Sequence, residues 1–213
     1  ETDPDTYLDT AAHLSMAFQT MGYHQRALSL LRNTLPVVEK SNSPYHKALF
    51  FNTLGDIHLS LENTEKAADY LLRGLEFARK SQNPRPLIML LNNIANGLSA
   101  DENYTGALEL YDQCLDLLAK SQDEHYDLKP KVLLNMVRLG LQMGNYAEVA
   151  DTLDSVLLQI AALPDYFSKG SDLITLNRLI REFQKKPEVR DHGSDDYLTE
   201  LSYLALSQAR GIG

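Results

Sequence analysis

Apolar positions along this chain recur with a helical period. Ala11 and Leu14, Phe51 and Leu54, Leu91 and Ile94, and Leu133 and Met136 are spaced i, i+3, which lays each pair on one helical stripe. Thirteen residues after each pair's second member stands Ala27, Ala67, Ala107 or Val149. These sit inside a second set of periodic segments, HQRALSLL (24–31), TEKAADYL (64–71), YTGALELY (104–111) and YAEVADTL (146–153). The anchor residues are 40, 40 and 42 positions apart, so the pattern predicts a repeated pair of helices.

The polar segments mark where each helix stops. Between the two helices of a unit run MGYHQ, LENTE, DENYT and MGNYA, and Asn63, Asn103 and Asn145 occupy one equivalent place, suited to accepting from an unpaired backbone N–H. Asn145 and Glu148 have capping-box spacing. Between units, EKSNSP, RKSQNP and AKSQDE return every 40 residues. They place Lys40, Lys80 and Lys120 in a last helical turn, where a cation complements exposed carbonyls, with Pro44, Pro84 and Pro130 at or near the next start.

The expected helices are 5–21, 24–41, 45–61, 64–81, 85–100, 104–121, 129–143 and 146–162. A ninth is expected at 171–184 and a tenth at 197–210, around the loop KPEVRDHGSDD. Residues 1–163 thus read as four helix pairs (5–41, 45–81, 85–121, 129–162), and 164–213 as a degenerate fifth pair or a C-terminal cap.

Composition narrows the functions open to such an array. A net charge of -9 without a basic stripe argues against nucleic acid, whose phosphates need clustered Lys and Arg. No apolar run approaches the roughly 20 residues of a membrane span, so no membrane insertion is expected. The single Cys114 cannot form an internal disulfide, which leaves the compartment open between cytoplasm and export. The first residue is Glu1, suggesting a piece of a longer protein with an effector domain elsewhere in the chain.

Candidate chemistry is sparse. His13, His24, His46, His58, His125 and His192 form no metal-ligand spacing, Cys114 has no paired base in the sequence, and the glycines build no phosphate loop. No catalytic residue, metal or cofactor is expected, and the chain reads as non-catalytic.

The helix pairs resemble the tetratricopeptide repeat (TPR). Its pattern of Leu-Gly, an aromatic residue, an anchor Ala, a large residue and a small one is matched by Leu54, Gly55, His58, Ala67, Leu71 and Gly74. Ile94, Ala95, Leu98, Ala107, Tyr111 and Cys114 match again, as do Leu14, Ser15, Phe18, Ala27, Leu31 and Thr34. His58 and Gly140 depart at the aromatic place and Val149 at the anchor. The resemblance implies an all-α, right-handed superhelical α-solenoid of antiparallel pairs. The period exceeds the usual repeat of about 34 residues, like the repeats of kinesin light chains and of bacterial arrays preceding a caspase-like CHAT peptidase domain. LLNNIANGLSADENYTGALELYDQCLDLLAKSQD and LLNMVRLGLQMGNYAEVADTLDSVLLQIAALPDYFSKG are similar to the latter.

Carried onto this chain, the resemblance implies that the first helix of each pair lines a concave groove. Its wall would include Asn52, Asp56, Asn92, Asn93, Asn96, Lys131, Asn135 and Arg138. Asparagine is a mediocre helix former, so its concentration here points to use of the side-chain amide, which can both donate to and accept from the backbone of an extended peptide. The Lys/Asn/Arg clamp of some family members is not reproduced, because Ala12, Asn52 and Leu134 stand where its lysine would be. The expected function is a scaffold that binds a protein or peptide segment, as the regulatory or recognition part of a larger protein such as a CHAT-domain peptidase. The alternative is a ligand- or signal-peptide-sensing input domain of a signalling ATPase or kinase.

Overall fold

The computed structural model describes residues 3–121, 127–162 and 167–186, together with Thr199, Tyr203 and Ser207. Among these residues every regular element is an α-helix: α1 (Pro4–Thr20), α2 (His24–Lys40), α3 (Pro44–Ser60), α4 (Thr64–Ala78), α5 (Arg85–Ala100), α6 (Tyr104–Lys120), α7 (Lys129–Met143), α8 (Tyr146–Ala162) and α9 (Phe167–Gln184). The loop and tenth helix expected after residue 186 lie almost wholly outside the described residues; Thr199, Tyr203 and Ser207 are helical.

The chain divides into two compact units, 1–117 and 118–213. In the first, α1 pairs with α2 and α3 with α4, while α3 also packs on α1 and α2, and α5 on α3 and α4. In the second, α7, α8 and α9 pack against one another.

Helix starts follow local chemistry. The Asp3 carboxylate accepts from Thr6 N at 3.1 Å, the Ser43 hydroxyl accepts from His46 N at 3.3 Å, and Pro44 takes a first helical position where its missing N–H is harmless. The expected asparagine caps divide. Asn103 Oδ1 accepts from Gly106 N at 3.1 Å. Asn63 makes no side-chain cap bond, and the Asn145 amide donates to the Glu148 carboxylate, so the capping box becomes a side-chain pair. Lys40 and Lys120 lie in last turns, but α4 ends at Ala78 and Lys80 falls beyond it. There the Ser81 hydroxyl accepts from Asn83 N, and Asn83 Oδ1 accepts from Arg85 N, replacing helical bonds with turn bonds.

What the intra-unit turns share is a left-handed residue. Gly22, Glu62, Glu102 and Gly144 have φ of 77°, 58°, 61° and 75°; the first three stand one residue after the C-cap of the first helix, and Gly144 is itself the C-cap. Glycine takes this conformation without steric penalty, whereas Glu62 and Glu102 hold it against a cost of about 1 kcal/mol.

The anchors lie at the centre of each seam. Ala27, Ala67 and Ala107 are 0% exposed and Val149 is 2% exposed. In α3, a Cβ on Gly55 would lie 2.5 Å from Leu71 Cδ2, so the absent side chain is what admits the large residue of α4. In α7 the small residue has moved one turn. Val137 stands where Gly55 does, and a Cβ on Gly140 would lie 2.6 Å from Val149 Cγ2. The two departures in the fourth unit thus compensate each other, with the larger anchor filling the space left by the missing aromatic side chain.

Candidate functional site

Within each unit the first helices carry a polar set that links neighbouring equivalent helices. On α1 and α3, Gln19 Nε2 donates to Asp56 Oδ2 at 2.8 Å, and His46 Nε2 lies 3.1 Å from Asp9 Oδ1. Between α3 and α5, Asn93 Nδ2 donates to Asn52 Oδ1 at 3.1 Å, and within α5 Asn92 Nδ2 donates to Asn93 Oδ1 at 3.4 Å. Between α7 and α9, Lys131 Nζ donates to Asp172 Oδ1 at 3.1 Å and to Oδ2 at 3.2 Å. These inter-helix pairs are separated by 37 or 41 residues, one repeat less or plus a fraction of a turn, as side chains reaching between equivalent helices require.

The first unit therefore brings together five of the sequence-derived wall residues. Asn52 and Asn93 are buried and joined by their amides; Asp56, Asn92 and Asn96 are half-buried. Asn96 Oδ1 accepts from the Tyr111 hydroxyl at 2.7 Å, a bond within the α5/α6 pair that orients the Asn96 amide. Burial raises the Asp56 pKa above the usual carboxylate range, against the lowering effects of the Gln19 hydrogen bond and the nearby His24 ring.

The second unit holds the other three. Arg138 donates from a guanidinium nitrogen to Asn135 Oδ1 at 3.0 Å, and Lys131 is committed to Asp172. The positive charge of Lys131 is accordingly offset by a buried carboxylate. Burial raises the Asp172 pKa, Lys131 opposes that rise by its charge and hydrogen bond, and Asp127 adds to it. Gln19 is one of the groove-facing positions that the sequence register gives for the first repeat, whereas Asp172 is not among the sequence-derived positions; the signal available for it was the period itself, extended forward into α9.

The remaining candidate groups have structural surroundings. Cys114 is fully buried, its thiol donates to the Ile88 carbonyl at 3.4 Å, and burial pushes its pKa up to about 12, far from the thiolate a nucleophile needs. His58, at the family's aromatic place, stacks on Tyr70 with centroids 5.4 Å apart and 20° between planes. Burial first, and the Lys66 charge second, lower its pKa. Among the described residues no group of three or more His, Cys, Asp or Glu is arranged to hold a metal, and no helix is long and apolar enough to cross a membrane.

Successive antiparallel helix pairs, with a small or anchor residue at every seam and side-chain bonds at one-repeat intervals, define a helical-repeat protein. Two tetratricopeptide repeat family models match residues 7–80 and 87–120, together just over half of the chain. The chain belongs to the tetratricopeptide repeat family, whose repeats generally mediate protein–protein interaction.

Its fold is shared with solved repeat structures at low sequence identity. The nearly identical TPR-like repeats assigned to a kinesin light chain of Podosopora anserina are 17% identical with a TM-score of 0.60, covering 98% of each chain. The pilF protein of Pseudomonas aeruginosa is 17% identical with a TM-score of 0.62, over 95% of this chain and 78% of that one. A signal transduction ATPase with numerous domains and a tetratricopeptide repeat sensor, from Pyrococcus horikoshii, is 18% identical with a TM-score of 0.60, over 98% of this chain and 34% of that one. No curated protein sequence matches the chain.

Proposed function

We propose that this chain is a non-catalytic recognition module whose first-helix faces bind an extended protein or peptide segment. The observation that carries this reading is the amide set of α3 and α5. The Asn93 to Asn52 bond and the Tyr111 to Asn96 bond fix the side-chain rotamers, so the amides are oriented before a ligand arrives. Half-buried Leu49 and Met89 occupy neighbouring wall positions and supply apolar contact beside them. Amides that satisfy a peptide backbone select for extended conformation more than for sequence. In the second unit, Asn135, Arg138 and Lys131 extend the same reading with a cationic component.

Selection from a display library of short unstructured peptides tests this. Binders are expected to lose about tenfold in affinity when Asn92 and Asn96 are both replaced by Ala, with the helical circular dichroism unchanged. Binders indifferent to both substitutions would overturn the reading.

The module serves in this proposal as the regulatory or recognition part of a larger protein. Attachment to a CHAT-domain peptidase rests on the sequence resemblance. Attachment to a signalling ATPase, as an input domain, draws on the likeness to the repeat sensor of the Pyrococcus horikoshii protein. The reading frame surrounding the chain decides between them: a caspase-like domain supports the first, and a nucleotide-binding domain the second.

A further inference from the structure

Asp9 with His46 and Gln19 with Asp56 keep one separation of 37 residues along α1 and α3, so equivalent first helices run in the same direction. From α3 to α5 the separation is 41, set by the bond from Asn93 to Asn52. One turn further along both helices, the same separation sets Gly97 beside Asp56. Packing does not require a glycine there. Among the described residues a Cβ on Gly97 would meet only Leu59 Cδ2, at 3.7 Å, an ordinary contact, and α5 is regular helix through this position. Because glycine is less favourable than alanine inside a helix, the notch is kept open against local propensity.

Asp56 borders this notch with an uncompensated charge. Its Oδ2 accepts from Gln19 Nε2 at 2.8 Å, a neutral partner that holds the carboxylate in place. Among the described residues Oδ1 accepts no hydrogen bond, and the carboxylate forms no salt bridge. The wall supplies no cation either: none of the positions on α1 or α5 equivalent to Asn52, Thr53, Asp56 and Ser60 is lysine or arginine. Burial disfavours the ionised form, and the nearby His24 opposes that only in part. A half-buried carboxylate so placed gains when a cation pairs with it.

We propose that this notch takes a lysine side chain of the bound segment, its ammonium on Asp56 Oδ1 and its methylene stem against Leu59, across the gap left by Gly97. This preference rests on the peptide-binding reading above and adds a chemical class of partner to it. Lysine suits the notch better than arginine, because Gln19 holds one carboxylate oxygen and so removes the pair of acceptors that a guanidinium fork engages.

Display selection of short unstructured peptides on the full 213-residue chain, run in parallel on Asp56→Asn and Gly97→Leu, tests it. Both variants keep their helical circular dichroism, since Asn matches Asp in shape and a side chain at residue 97 has room. The unaltered chain is expected to enrich lysine at one peptide position at least about fivefold, and both variants to select binders without that enrichment. Calorimetry with one selected peptide is expected to show about tenfold weaker binding when its lysine is replaced by norleucine, on the unaltered chain alone. Lysine enrichment that survives either substitution overturns the proposal, as does arginine enriched in its place. Binders without a preferred cation that still weaken on replacing Asn92 and Asn96 overturn it while upholding the peptide-binding reading. A chain that selects no peptide overturns both.

Discussion

The seams of α3/α4 and α7/α8 solve one packing problem in two ways. In the first, Gly55 removes a side chain opposite Leu71, and the anchor Ala67 stays small. In the second, the small position slides one turn to Gly140, Val137 fills the place it left, and the anchor grows to Val149. The comparison teaches that the repeat conserves filled volume at the seam while leaving open which residue supplies it, the tolerance expected of a close-packed interior that keeps its total volume.

The largest expected effect comes from forcing one solution onto the other. Gly55→Val reproduces the α7 residue in α3, where its Cβ meets Leu71, and is expected to lower unfolding free energy by at least about 3 kcal/mol in urea titrations. Next, Gly140→Ala places a methyl group against Val149 and is expected to cost about 2 kcal/mol. Adding Val149→Ala should recover most of that loss, and strictly additive costs in the double-mutant cycle would break the claim of compensation.

The units also differ in how they use charge. Replacing Lys131 with Met leaves the buried Asp172 carboxylate without its cation; because Lys131 is about one-third exposed, a loss of about 1 kcal/mol is expected by chemical denaturation. At the α3/α4 seam the expected signature is pH dependence. The folded-state pKa of His58 is lowered, so the unfolded chain takes up that proton first. Stability is therefore intact above the ordinary value of 6.5 and declines as pH falls through it. His58→Phe should flatten the change in urea midpoint between about pH 7.5 and about pH 5.5. Asp56 and Asp172 act in the opposite sense at lower pH, because their raised folded-state pKa values relieve a buried charge as pH falls toward 3.8. The smallest effect is expected in the turns: Gly22→Ala meets open space yet keeps a positive φ, and should cost about 1 kcal/mol.

Much of this architecture is legible in the sequence because helical period and turn residues are local properties. The anchor alanines mark the buried seam, and the MG, LE and DE dipeptides hold the left-handed turn position, although the asparagine beside it is the more noticeable residue. Its capping role is visible at Asn103, whereas the Asn145 amide turns to Glu148 and Asn63 makes no side-chain cap bond. The candidate wall was legible as a set of positions, but its bonding was not. That Asn93 donates to Asn52, or Lys131 to Asp172, depends on the angle between equivalent helices, which periodicity alone leaves unspecified. Once separations of 37 and 41 residues are known, the same arithmetic leads directly from Lys131 to Asp172.

The central claim is that the amide-bearing faces of the first helices are the recognition surface. Side-chain amide resonances report on it directly by nuclear magnetic resonance as a selected peptide is titrated in. The account predicts that the Nδ2 signals of Asn92 and Asn96 shift with the titration while backbone signals of α2 and α4 hold still. Shifts confined to α2, α4 and α6, with the asparagine amides unmoved, would contradict it.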